Sequence, residues 1–183
     1  MKMLNLPFET VNIKDVEETY DPELATEEIP MYLSRLKAKA YKDYLNDSDI
    51  LITADTVVAL GNDIMGKPKD LEQAKKMLRM LSGRVHKVIT GVTITKKNAS
   101  VTFNSVTEVK FSKLTSEEIE YYVDKYRPLD KAGAYGVQEW IGAVGVESLR
   151  GSYYNVMGLP VHRLYKELQA FIPEFETFPH NGI

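Results

Sequence analysis

The chain has 183 residues, 44% of them hydrophobic, which suits one domain around one core rather than two domains. The formal net charge of −3 gives no overall attraction to nucleic acid or to an anionic membrane. Cysteine is absent, which excludes disulfides, thiolate metal sites and cysteine nucleophiles. The three histidines lack zinc-binding spacing, so any bound metal has to be held by oxygen atoms.

No apolar run reaches the ~18 residues of a transmembrane helix, and the first ten residues lack the features of a signal peptide. We therefore expect a cytoplasmic protein that binds neither membrane nor nucleic acid. No linker or internal repeat is visible, so one domain is expected over residues 1–183, with residues 172–183 as a frayed tail.

In the first half of the chain, a helix is predicted over residues 29–45, after a proline in the first turn. The apolar residues that recur at helical spacing on its predicted buried face are Leu33, Leu36, Ala40 and Tyr44. Residues 49–60 are rich in β-branched side chains and lead into Gly61 to Asp63, which predicts a buried strand and a hairpin. A second helix is predicted from Asp70, as its N-cap, to Gly83, which ends it.

Alternating residues then predict two strands, over 85–95 and 101–111. A third helix is expected to open on the capping box formed by Thr115 and Glu118.

The last third of the chain contains two segments punctuated by glycine, 132–138 and 141–149, which we interpret as a strand and a loop. Pro160 then begins a final helix. Because helices and strands mingle without strict alternation, the predicted fold class is α/β, with an elongated mixed sheet flanked by helices.

Asp55 is the residue that most strongly suggests a functional site, because it interrupts the apolar run of the first predicted strand. Burying a carboxylate there is costly unless it is paired, hydrogen-bonded, metal-bound or facing a cleft. A structural aspartate bonded to a turn is an equally good explanation. Lys67 follows the hairpin closely enough to return to the same rim, although an exposed loop lysine is the commoner case.

The segment from Asp130 to Gln138 joins a charge pair to small residues, which lets backbone approach a ligand closely or marks a tight packing corner. His86 is interpreted as a structural hydrogen-bonding residue rather than a catalytic base. Tyr153 and Tyr154 are better explained by core or dimer packing than by stacking on a base.

Six separated motifs form a recognisable series: ADTVV from Ala54, GKP from Gly66, the helix end between Met77 and His86, Thr90-Gly91, DKAGAYGVQ from Asp130 and GSYYNVMGLP from Gly151. In order and spacing they resemble the Maf family of nucleotide pyrophosphatases, from Phe8 to about Phe171. The combination is far more specific than any single motif.

The resemblance implies a fold similar to the inosine triphosphate pyrophosphatases, with two lobes around a central cleft, and a homodimer. It implies hydrolysis of a nucleoside triphosphate to the monophosphate and pyrophosphate with a divalent cation, Mg²⁺ or Mn²⁺. The motifs are those of the branch that acts on dTTP and UTP, so the expected role is cleansing of the nucleotide pool, including modified pyrimidine nucleotides.

Carried over residue by residue, the resemblance makes Asp55 the proton acceptor and a metal ligand, with Glu18 as the second metal-site carboxylate. It makes Gln138 a specificity residue, since an amide both donates and accepts hydrogen bonds and matches the edge of uracil or thymine. The other implied positions are the specificity residue Thr56 and the phosphate-neutralising lysines Lys39 and Lys67.

The sequence departs from the family pattern in two places. Family members open with a strand that ends in S-x-S-P-R-R and meets the triphosphate, and residues 1–8 show no counterpart. After Gln138, Glu139 and Trp140 replace the usual glycine, which is expected to reshape the base pocket. Two alternatives stay open: a non-catalytic or impaired regulatory protein of the septum-formation-inhibitor kind, and the same enzyme class with another base preference.

Overall fold

The structure is a computed structural model that describes Leu4, residues 6–11 and residues 16–172. Within that part of the chain the strands are β1 (Leu51–Leu60), β2 (Asp63–Met65), β3 (Val85–Lys96), β4 (Ala99–Phe111) and β5 (Val146–Arg150). They form a five-stranded sheet in the order β2-β1-β3-β4-β5, and each neighbouring pair is antiparallel. The α/β class is therefore confirmed, but the sheet expected to be mixed is antiparallel throughout the described residues. Short hairpins join two of its four strand pairs, β1 with β2 and β3 with β4.

The helices are α1 (Ile29–Tyr41), α2 (Leu71–Leu81), α3 (Ser116–Tyr126), α4 (Trp140–Gly145), α5 (Tyr153–Val156) and α6 (Val161–Phe171). The predicted caps of α2 and α3 are confirmed: Asp70 accepts the N–H of Gln73 at 2.7 Å, and Thr115 and Glu118 form the capping box. Among the described residues, no helix is long and apolar enough to cross a membrane.

Three predicted elements differ from the structure: the first helix and the segments 132–138 and 141–149. The first helix ends at Tyr41 and continues only as a short 3₁₀ turn, with Tyr44 79% exposed instead of on the buried face. Segment 132–138 is a loop with a 3₁₀ turn rather than a strand, because Gly133 and Ala134 have positive φ angles of 67° and 62°.

Segment 141–149, expected to be a loop, supplies most of α4 and β5. Strand β5 exists because it pairs with β4, bringing Arg150 opposite Glu108. That partner lies far away along the chain, so local sequence pattern did not reveal it.

The core has three parts. The largest lies against α2, α3 and α4, the second lies against α6, and the third lies between α1 and the middle of the sheet. Ile172, which was assigned to the frayed tail, is buried in the second part with 6% exposure. The rest of that tail, 173–183, lies outside the described residues, as do residues 1–3 and 5 of the opening segment.

Gly91 allows α1 to approach the sheet. A Cβ atom at this position would lie 2.2 Å from the carbonyl carbon of Pro30 and 2.3 Å from the nitrogen of Met31. Both are backbone atoms of α1, so a side chain at position 91 would force the whole helix away from the sheet. Gly91 is also the antiparallel partner of Asp55, so the same close approach brings α1 over Asp55.

We expect Gly91→Ala to lower the free energy of unfolding by about 3 kcal/mol, because the new methyl group overpacks a rigid backbone contact. Chemical denaturation of the purified variant measures this change. Gly66→Ala is the matched control, since no atom lies within 4 Å of the Cβ position there. Equal stability of the two variants would show that α1 does not need glycine beneath it.

Candidate active site

A cavity of about 340 Å³ opens over β1, between the sheet and the loop 130–138. Its apolar lining includes Val58, Val88 and Val156. The charged and amide side chains that line it are Lys37, Asp55, Lys67, Asp130, Lys131 and Gln138. Thr56 also lines it, so four of the six predicted site residues meet at this cavity, and Glu18 reaches it through Lys37.

Asp55 lies in the middle of β1, and its side chain is 11% exposed. The ammonium of Lys37, on α1, donates a hydrogen bond of 2.5 Å to Asp55 Oδ1. Burial raises the pKa of the Asp55 carboxyl above its ordinary value of 3.8, although Lys37 acts in the opposite direction. Asp55 is therefore a paired carboxylate facing a cleft, and its basicity exceeds that of an exposed aspartate.

Lys37 joins the two predicted acidic residues. Its Nζ lies 3.0 Å from Glu18 Oε1 as well as 2.5 Å from Asp55 Oδ1. Burial works against the ammonium form, but the hydrogen bonds and charges of Asp55 and Glu18 leave the pKa of Lys37 raised. Lys37 is thus a fixed cation at neutral pH, with a carboxylate on either side.

Lys39, the lysine expected at this place, lies elsewhere. Two residues along a helix turn the side-chain direction by roughly 200°, so Lys39 lies on the opposite side of α1 from Lys37. Its side chain is exposed, and it is not part of the cavity lining. Lys37, which no sequence motif singled out, therefore occupies the position beside Asp55.

The donor set at this end of the cavity suits a small hard cation. The carboxylates of Asp55 and Glu18 converge on the same Lys37 ammonium, so their oxygens lie close together. Among the described residues, no group of three histidine, cysteine, aspartate or glutamate side chains is placed to hold a metal ion. Mg²⁺ commonly binds one or two protein carboxylates and takes its remaining ligands from phosphates and water, which two carboxylates satisfy.

Lys67 is held at the rim by the hairpin that follows β1. The carbonyl of Gly66 accepts a hydrogen bond of 3.1 Å from the N–H of Gly133, which ties the hairpin to the loop across the cavity. Lys67 has no carboxylate within ion-pair distance among the described residues. Its charge opposes the rise in the pKa of Asp55 that burial causes, and after Lys131 it contributes to the lowered pKa of Asp130. It is an exposed lysine that lines the cavity, so it returns to the rim near Asp55 as expected from its place after the hairpin.

Thr56 belongs to a chain of hydroxyl groups that anchors α5. Thr56 Oγ1 lies 2.9 Å from Thr90 Oγ1, and the Thr90 hydroxyl donates to the carbonyl of Asn155 at 3.2 Å. The buried Asn155 amide donates to the carbonyl of Val88 at 3.0 Å. These contacts fix Met157, which follows α5, at the cavity wall.

His86 lies outside the cavity lining, and the interpretation of it as a structural residue is confirmed. Its Nε2 lies 2.8 Å from the hydroxyl of Tyr135, and its ring is 2% exposed. Burial lowers the pKa of His86 to about 4, so the ring is neutral at physiological pH. Tyr135 lines the cavity, so His86 supports its wall from behind.

The chain matches known proteins over most of its length. The family model described as Maf-like protein matches residues 1–171. The chain is 52% identical over 168 residues to the dTTP/UTP pyrophosphatase of Parabacteroides distasonis, which covers 92% of this chain and 87% of the relative. It is 50% identical over 166 residues to the protein of that name from Phocaeicola vulgatus, and the match covers 91% of this chain and 86% of that relative. It is 47% identical over 164 residues to the dTTP/UTP pyrophosphatase of Flavobacterium psychrophilum, and the match covers 90% of this chain and 84% of that relative. Together, the match along the chain and these identities establish that the chain belongs to the Maf-like protein family.

Proposed function

We propose that this protein hydrolyses dTTP and UTP, and modified pyrimidine nucleotides of the same shape, to the nucleoside monophosphate and pyrophosphate. The observation that carries the proposal is the largely buried, lysine-paired carboxylate of Asp55 at the wall of a cavity lined by three lysines. Relatives that share about half of their residues with this chain are named for that activity, which supports the same substrate class here.

In the proposed reaction, a water oxygen bonds to the α-phosphorus and the bond from that phosphorus to the α–β bridging oxygen breaks. Pyrophosphate leaves with the bridging oxygen, and the proton lost by the water passes to an Asp55 carboxylate oxygen. A carboxylate with a raised pKa accepts that proton more readily than an exposed one. The burial of Asp55 therefore contributes directly to its role as the base.

Lys37 and Lys67 have different roles in the proposed reaction. Lys37 orients Asp55 through their hydrogen bond and keeps it ionised. Lys67, without an ion-pair partner in the described part of the chain, has its charge available for the triphosphate. Asp55 and Glu18 would hold a divalent cation, Mg²⁺ or Mn²⁺, which supplies further neutralisation of the phosphates when bound. Thr56 and Gln138 are proposed as specificity residues at the same wall.

The purified protein, given MgCl₂ and either dTTP or UTP, is expected to release equimolar monophosphate and pyrophosphate, which ³¹P NMR distinguishes from orthophosphate release. Purine triphosphates in parallel reactions test for another base preference. The non-catalytic, septum-inhibiting alternative is not favoured, because the acid, its lysine and the cavity occur together. Absence of pyrophosphate with every triphosphate, with Mg²⁺ and with Mn²⁺, would reverse that judgement.

We further propose a cytoplasmic homodimer, with no nucleic-acid or membrane partner. The net charge of −3 supports the absence of a polyanionic partner. Analytical ultracentrifugation measures the assembly state.

A further inference from the structure

The face of the sheet beneath α1 carries a row of buried hydroxyl groups. Thr53 on β1 and Thr93 on β3 are antiparallel partners, and both residues are buried. Ser34, in the middle of α1, lies over this pair and is buried as well. A buried hydroxyl group that lacks a hydrogen-bond partner is costly, so the positions of these three residues depend on one another.

Ser34 is bound to both strands. The Thr53 hydroxyl donates a hydrogen bond of 2.8 Å to the main-chain carbonyl of Ser34. The Ser34 hydroxyl lies 2.8 Å from Thr93 Oγ1, and it donates to the carbonyl of Met31 at 2.8 Å. Thr93 Oγ1 also lies 3.0 Å from Thr102 Oγ1, which extends the row to β4. The main chain and the side chain of Ser34 are therefore both held by the sheet.

The pair Lys37 and Asp55 forms a second contact between the same two elements. Thr53 and Asp55 are two residues apart on β1, so their side chains lie on the same face of the strand. Ser34 and Lys37 are three residues apart on α1, so they lie on the same side of the helix. Helix α1 is thus joined to β1 at two successive places, and the contact through Thr53 is uncharged.

The contact at Ser34 restricts how α1 can rotate. A shift by one residue turns a helix by roughly 100°, which would carry the Lys37 side chain away from Asp55. Gly91, the antiparallel partner of Asp55, has no side chain that could guide the helix there. A lysine side chain is itself flexible, so the direction of Lys37 depends on the rotation of its helix. That rotation is set two residues further along the strands, by the two threonines that hold Ser34.

We propose that Thr53 and Thr93 are positioning residues, which hold α1 through Ser34 in the rotation that brings the Lys37 ammonium to Asp55. Neither threonine lines the cavity, so each acts through Lys37 and not on the substrate. This inference rests on the proposed function, because Asp55 is the base proposed there.

A double-mutant cycle with Lys37 separates positioning from general packing. Thr53→Val removes the hydroxyl and keeps the branched shape, and the Ser34 carbonyl still accepts within the helix, so the variant is expected to fold. Its kcat/KM for dTTP should fall roughly tenfold, chiefly through kcat, because Asp55 loses its orientation. In the Lys37→Met background no ammonium remains to be positioned, so Thr53→Val should change kcat/KM by less than about twofold. A tenfold loss in both backgrounds, or no loss in either, would overturn the proposal.

Thr95→Val is the matched control. Thr95 is buried on β3, the strand of Thr93, and its hydroxyl has no hydrogen-bond partner in the described part of the chain. It does not line the cavity, so its variant should keep wild-type activity. Thr93→Val should lower kcat/KM as Thr53→Val does. Thr53→Ser keeps the hydroxyl and should restore most of the activity, so a loss as large as that of Thr53→Val would show that the hydrogen bond to Ser34 is not the cause.

The NMR signal of the Lys37 ammonium tests the inference without any turnover. The contact with Asp55 slows the exchange of the ammonium protons with water, so a ¹H–¹⁵N correlation is expected in the wild type, assigned by its absence from Lys37→Met. The signal should persist in Thr95→Val and Thr53→Ser and be lost in Thr53→Val and Thr93→Val. If the wild type released no pyrophosphate, the proposed function would fail, yet this signal would still decide the role of the threonines. Its absence from the wild type, or an unchanged signal in Thr53→Val, would refute the inference.

Discussion

Replacing Asp55 with asparagine is expected to lower kcat for dTTP hydrolysis by roughly 10³-fold, because the amide cannot accept the proton of the attacking water. The side chain keeps its size and can still accept a hydrogen bond from Lys37, so the wall of the cavity stays closed. Steady-state release of pyrophosphate measures the loss. KM is expected to change less than kcat, since the phosphates are bound chiefly by other groups.

Asp63→Asn is the control for this substitution. Asp63 is an exposed residue at the start of β2, on the strand next to β1, and does not line the cavity. Its variant should keep wild-type turnover. Thermal unfolding of Asp55→Asn should show a cooperative transition, which separates a chemical defect from a folding defect. Near-normal turnover of dTTP by a folded Asp55→Asn protein would exclude Asp55 as the base.

Local signals in the sequence predicted the scaffold well. The capping residues Asp70 and Thr115 act within one helical turn, and the mostly apolar run that became β1 is one contiguous segment of the chain. Such features depend on neighbours a few residues away, so they can be identified without the fold. Strand β5 depends instead on pairing with β4, and was missed for that reason.

Site residues could be predicted from the sequence only where a residue type is unusual among its neighbours. Asp55 stood out because an ionisable group within an apolar strand needs a partner. Lys131 and Glu139, which form an ion pair beside the cavity, stood out less, because charged residues in a loop are ordinarily solvated. The tyrosine that holds Glu139, Tyr122, lies on α3, so this contact exists only once α3 packs against the loop. Their only sequence signals were the charge pair beside small residues and the replacement of the glycine after Gln138.

Lys37, the partner of Asp55, could not be identified from the sequence. Helical periodicity alone did not determine which lysine of α1 faces the sheet, because the buried face runs through Leu33, Ser34 and Ala38 rather than through the predicted Ala40 and Tyr44. Ser34 turns inward since its hydroxyl bonds to Thr93 at 2.8 Å. That rotation of the helix brings Lys37, and not Lys39, to Asp55.

Replacing Lys37 with methionine is therefore expected to reduce kcat/KM for dTTP by roughly 10²-fold, because the variant loses a charge that orients Asp55, the proposed base. The pH dependence should change as well. Lys37 lowers the pKa of Asp55, so its removal raises that pKa further. The base is then protonated at a higher pH, and the acidic limb of the kcat/KM profile should move upward.

Lys39→Met provides the control, since it removes the same charge from the same helix two residues away. Both variants change the net charge equally, so a long-range electrostatic effect on an anionic substrate would lower their activities alike. An effect that depends on contact with Asp55 would appear in Lys37→Met alone, together with the shift of the acidic limb. Loss of activity in Lys39→Met with normal activity in Lys37→Met would instead restore the assignment made from the sequence and refute the geometry of α1.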